Sequence, residues 1–104
     1  MKIQAIEPFE ECIGDEYMKL IEFDTDISRA FIFYMSQFGE MEYHDSFTRP
    51  LFTLRIDNCF TFKGIQGFPT ARLILNPDAI EENLKKFHDM CEQFEPEREY
   101  QLCQ

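Results

Sequence analysis

Three cations, Arg55, Lys63 and Arg72, occupy matching places in short segments where apolar and polar residues alternate. In LFTLRID, Phe52, Leu54 and Ile56 alternate with Thr53, Arg55 and Asp57. In FTFKG, Phe60 and Phe62 alternate with Thr61 and Lys63, and in TARLIL, Ala71, Leu73 and Leu75 alternate with Thr70, Arg72 and Ile74. A strand period of two sends the cations and Thr53, Thr61 and Thr70 to the face away from the apolar one. Guanidinium, ammonium and hydroxyl donors on one surface suit a carboxylate or a phosphate. Arg55, Lys63, Arg72, Thr53 and Thr61 are therefore the candidate ligand-binding residues. The same types are also ordinary for a solvated antiparallel face, with Glu40 and Glu42 on an adjacent strand as cross-strand partners.

A second group is Glu40, Glu42 and His44 in E-x-E-x-H. Strand periodicity puts all three on one face, about 6.5–7 Å apart along the chain. With a further ligand from elsewhere, oxygen and imidazole donors would suit Zn, Mn or Fe, and an exposed acidic strand has the same appearance. His88 and Cys91 are three apart on a helical segment, where a buried structural thiol beside a boundary histidine accounts for both. The stretch FKGIQGFPTARLIL, Phe62 to Leu75, places Lys63 before two glycines. A phosphate-binding loop would lead into a helix N-terminus, whereas this one leads into Pro69 and an alternating segment, so it reads as a turn between strands. His44 and the adjacent Asp45 point to opposite faces of a strand, and no G-x-S-x-G elbow is present. The sequence therefore leans against an enzyme, and it implies no cofactor.

The elements that would carry these residues follow from pattern. MKIQAI reads as a short edge segment ending near Pro8, within an ambiguous first fourteen residues. Glu16–Phe23 reads as a strand. Over residues 27–38, Asp24, Thr25 or Asp26 can cap a helix that carries Ile27, Ala30, Phe31, Tyr34 and Phe38 and ends at Gly39, although AFIFYM would also suit a buried strand. Glu40–Ser46 reads as a strand, and Pro50 marks a break. A three-residue connection, Asp57-Asn58-Cys59, pairs Ile56 with Phe60 and Leu54 with Phe62 and keeps the faces pure. It needs a left-handed residue, which Asn58 tolerates better than Cys59. Asn76-Pro77 signals a helix start, followed by a stripe of Ile80, Leu84, Phe87, Cys91 and Phe94. Pro96 ends that helix and leaves a loosely held tail over 96–104. The whole reads as a single α+β domain over 1–104. It is a two-layer sandwich with an antiparallel sheet of about four to five strands and two helices on one face.

Composition bounds the partners. The chain has 104 residues and a net charge of −10, beyond the roughly 2–8 that suits a small domain. Residues 48–76 reverse the trend with four bases and one acid, while 1–47 and 77–104 are acidic. Acidic surfaces repel phosphate backbones and anionic lipid, so neither nucleic acid nor membrane is expected. The longest apolar run, Ala30 to Met35, is far short of the ~20 residues that span a bilayer. No export signal is evident, so a cytoplasmic setting follows, with Cys12, Cys59, Cys91 and Cys103 as thiols and no C-x-x-C pair. There are 12 Phe and no Trp or Val, a surplus of rings that suits interfaces as well as cores. The expectation is a binding or assembly module that self-associates as a homodimer and takes a small anionic or aromatic ligand or a protein partner. The alternatives are a small enzyme or metal protein using Glu40, Glu42 and His44, and an acidic regulator of a basic protein.

Overall fold

A computed structural model of the chain describes residues 1–8, 18–46 and 48–102. Cys12, Cys103, residues 16–17 of the expected Glu16–Phe23 strand, and the last two residues of the tail lie outside the described residues. The elements are β1 (Ile3–Pro8), β2 (Met18–Phe23), α1 (Arg29–Met35) running into a 3-10 turn (Ser36–Phe38), β3 (Glu40–His44), β4 (Leu51–Ile56), β5 (Phe60–Ile65), β6 (Thr70–Leu75) and α2 (Ile80–Glu92). One sheet holds all the strands in the order β1-β2-β6-β5-β4-β3, with every pair antiparallel. The α+β class and the antiparallel sheet are as the sequence reads. The strand number is not: there are six among the described residues, because Ile3–Pro8 forms a full edge strand that pairs along the length of β2.

The β4–β5 turn follows the register that purity of the faces demanded. Ile56 lies opposite Phe60 and Leu54 opposite Phe62, and Asn58 takes the left-handed conformation at φ 63°. Between β2 and β3 the chain must cross beneath β6, β5 and β4, and α1 makes that crossing with Phe31, Ile32, Tyr34 and Met35 buried. The helical reading of AFIFYM therefore holds, but the cap is Ser28, not Asp24, Thr25 or Asp26: its Oγ accepts from the Phe31 amide at 3.1 Å. Gly39 does follow the last helical turn, but what requires a glycine there is closeness and not a left-handed backbone. Its backbone is extended, and a methyl group there would run into the Arg55 carbonyl.

The second helix begins later than Asn76-Pro77 suggested. The Asn76 Oδ1 accepts from the Asp78 amide at 3.0 Å and closes a turn, and the helix starts at Ile80 with no side-chain cap. Its buried stripe also shifts. Asn83, Phe87, Met90, Cys91 and Phe94 are buried, while Ile80 and Leu84 are only half-buried. Asn83 is the cost of that rotation, since its Nδ2 is buried without a hydrogen-bond partner. At the other end the helix is well finished. The Tyr34 hydroxyl donates to the Met90 carbonyl at 2.6 Å, and the Met1 amino group donates to the Cys91 carbonyl at 3.0 Å, so two carbonyls that a helix terminus leaves open are satisfied.

Both helices lie on the same face of the sheet, over a core of rings. Phe23, Phe31, Phe52, Phe60, Phe62, Phe87 and Phe94 are all buried, so most of the phenylalanine surplus is interior. The segment after Pro96, expected to be loosely held, sets the Tyr100 ring 5.0 Å from Tyr34 and 5.7 Å from Phe94. No helix among the described residues is long and apolar enough to cross a membrane.

Two outcomes test this packing. Replacing Asn83 by Leu removes an unmet buried amide and keeps the branched shape of the side chain. It should raise stability by about 1–2 kcal/mol, read as a higher urea midpoint with an unchanged slope. Burial pushes the Cys91 thiol from an ordinary 9.0 up to about 12, and the Tyr34 phenol from 10.0 up to about 12. Above pH 9.0 the unfolded chain sheds protons that the folded chain keeps, so stability should fall as pH rises toward 12. Cys91→Ala should flatten that alkaline slope whatever it does to stability at pH 7, as urea unfolding across the range would show.

Candidate functional site

With both helices on one face, the other face of the sheet is left to polar and mixed side chains. The register arranges them in rows. The central row reads Glu7, Leu20, Arg72, Lys63, Thr53 and Glu42 from one edge to the other. On one side of it run Met18, Ile74, Thr61, Arg55 and Glu40. On the other side lie Glu22 opposite Thr70, and Ile65 opposite Leu51 with His44 beyond it. Acids thus sit at the margins and cations in the middle. Lys63 lies directly opposite Arg72, an arrangement of like charges that a sheet normally avoids. Among the described residues Lys63 has no hydrogen bond or ion pair, whereas Arg72 takes part in a further interaction.

A cleft of about 480 Å³ opens over this row, within the range of roughly 300–1,000 Å³ usual for small-molecule sites. Leu20, Thr53, Lys63 and Arg72 line it along the central row, and Leu51, Ile65, Phe68 and Thr70 line it on the side toward the β5–β6 loop. That loop is held by its backbone. The Gln66 amide donates to Pro50 at 2.9 Å, Gly67 donates to Ile27 at 2.8 Å, and the Phe68 carbonyl accepts from Ile27 at 2.8 Å. The Tyr43 hydroxyl donates to Gln66 Oε1 at 2.7 Å. Gly67 has φ 93°, which a side chain rarely adopts. The GIQGFP stretch is a turn between strands, as its proline suggested, and it presents an exposed Phe68 ring beneath the Arg49 guanidinium at 4.8 Å.

Of the five residues singled out as ligand-binding, Thr53, Lys63 and Arg72 share the cleft, while Arg55 and Thr61 stand in the neighbouring row. Arg55 is engaged: its Nη1 donates to Glu42 Oε1 at 2.9 Å, and this contact holds the Glu42 carboxyl below its ordinary range. Both partners are about half exposed, where such a pair adds little stability.

Glu40, Glu42 and His44 do share one face of β3, and His44 Nε2 lies 3.9 Å from Glu42 Oε2. Their ligand atoms do not converge. The one group of potential metal ligands that does so among the described residues is His88, Asp89 and Glu92, all exposed on α2, with atoms within 4.8 Å of one another. Cys91 is buried with a raised thiol pKa, and the exposed His88 beside it faces Glu92 at 3.7 Å, in keeping with a structural thiol next to a boundary histidine. Cys59, half-buried, receives a hydrogen bond from Lys86 Nζ at 3.4 Å.

Leu20, Leu51, Ile65 and Phe68 were missed as site residues. Their signal was present in the sequence. Leu51 and Ile65 are apolar at positions where the alternation calls for polar ones, and Phe68 stands exposed between Gly67 and Pro69 in a turn.

Gly67→Ala tests whether the loop is fixed by its backbone. The substitution should cost about 1–2 kcal/mol for a left-handed alanine, seen in thermal unfolding, and should shift the amide resonances of Phe68 and Ile27 together. Among known proteins, no family model, no curated sequence and no solved structure matches the chain.

Proposed function

We propose that the chain is a non-catalytic binding module whose open sheet face takes an anion at Lys63 and Arg72. The observation that carries this reading is the direct opposition of those two cations at the centre of the face. Arg72 also takes part in a further interaction, and Lys63, with no hydrogen bond or ion pair among the described residues, is the cation to which an anion would add charge-assisted hydrogen bonds. Thr53 on one side of the pair and Thr70 beside it add hydroxyl donors. Glu7 and Glu42 close the two ends of the row, so a negatively charged partner is favoured only at the middle.

Self-association belongs to this reading in one form. A two-fold axis through the middle of the face would set Lys63 and Arg72 on their own copies. Two copies meeting there would need an anion between them. The phenylalanine surplus, which first suggested a dimer, is largely interior, and so lends this contact little support.

Inorganic phosphate at constant ionic strength tests the reading. The melting temperature should rise with the logarithm of phosphate concentration once phosphate exceeds its dissociation constant, the form expected when a ligand binds only the folded chain. The rise should disappear in Lys63→Ala and return in Lys63→Arg. Light scattering should give a monomer near 12.5 kDa without phosphate. A melting temperature that ignores phosphate, or a rise equally large in Lys63→Ala, would overturn anion binding at this pair.

A further inference from the structure

The cleft beside the cation pair is amphipathic, and its two characters are separated along the strands. The cations lie in the central row, and the apolar side chains Ile65 and Leu51 lie one row on, about 6.5–7 Å away, with Phe68 beyond them on the β5–β6 loop. We infer that the occupant is a small monocarboxylate with an apolar tail, its carboxylate at Lys63 and Arg72 and its tail over Ile65 and Leu51 toward Phe68. The inference rests on the anion reading of this face and adds the part of the ligand that a bare anion lacks.

Three features point to that chemistry. One carboxylate meets the charge of Lys63 beside Arg72 and leaves the rest of the molecule apolar, to match Ile65 and Leu51 in the next row. The tail has one direction open to it, because the cleft extends toward Phe68 and does not include the row of Arg55, Thr61 and Ile74. Phe68 is exposed, its backbone is held by the hydrogen bonds on either side of it and one side of its ring is packed by the Arg49 guanidinium at 4.8 Å, so the ring is in place before a ligand arrives and little ordering is lost on binding. At the row spacing of about 6.5–7 Å, a tail of roughly five to eight carbons reaches that wall.

A homologous series tests the inference with the full chain. Acetate, butanoate, hexanoate and octanoate would be titrated at constant ionic strength and followed by amide chemical shifts, with octanol and a hexaglutamate peptide alongside. Each added methylene should tighten binding by about two- to fourfold, the value expected for partial to full burial of one CH₂. Phe68→Ala should flatten that gradient and leave acetate unchanged. Lys63→Ala should weaken every acid at least tenfold, by the loss of about 1.4 kcal/mol, and Lys63→Arg should restore them; thermal melts would confirm that each variant folds. Equal affinity for acetate and octanoate would overturn the tail and leave the anion reading standing. Octanol binding as tightly as octanoate, or no binding of any acid or of phosphate, would overturn both. Hexaglutamate binding more tightly than octanoate would make an acidic protein the occupant and overturn the small-ligand inference.

Discussion

The ring of Phe62 meets four other rings. Phe23 from β2 lies at 6.2 Å, Phe31 from α1 at 6.2 Å, Phe52 from β4 at 5.1 Å and Phe87 from α2 at 4.9 Å. Every layer of the molecule touches this one side chain. The arrangements are edge-on or tilted, as ring quadrupoles prefer. In a chain with neither Val nor Trp, such contacts fill the volume that branched aliphatic residues fill elsewhere. Phe62 is completely buried, and the position of β5 at the middle of the sheet makes it the natural hub.

Because that hub draws both helices to the same side, the sheet is one-sided. A one-sided sheet needs a solvated face, and here the solvated face is neither uniformly polar nor uniformly charged. Cations occupy its centre, acids its margins, and several half-exposed aliphatic residues interrupt the alternation. The one-sidedness of the core therefore leaves room for the site. The β5–β6 loop ties the two together: its backbone is bonded to Ile27, at the approach to α1, and to Pro50, at the entry to β4.

Much of the fold was legible where a physical requirement was local. The β4–β5 turn length followed from keeping Leu54, Ile56, Phe60 and Phe62 on one face, and Asn58 from the need for a positive φ. The edges of elements were less legible because they depend on distant partners. Ser28 caps α1 in place of the more suggestive Asp24, Thr25 or Asp26, and α2 rotates so that Asn83 is buried while Leu84 is not. The strand count fell short because Ile3–Pro8, readable as a short edge strand, has little pattern of its own and takes its structure from β2. For the site, alternation put Thr53, Lys63 and Arg72 on one face, but only strand order and register show that Lys63 and Arg72 are neighbours and that Arg55 is already matched with Glu42. The apolar half of the cleft was overlooked because Leu51 and Ile65 break the alternation used to find the polar face, and only the register and the β5–β6 loop bring them and Phe68 beside the central row.

The β1 edge carries a bulge between Ile3 and Ala5, where the register against β2 slips, and it ends in a proline. The β3 edge alternates Glu40 and Glu42 through its length. Both are ways in which a sheet discourages another strand from adding to it. Growth of the sheet sideways, the ordinary route by which small β-rich proteins join into fibres, is thus resisted at either end. What is left for contact is breadth instead of length: an encounter with this molecule is an encounter with a surface, and the charges on that surface decide what stays.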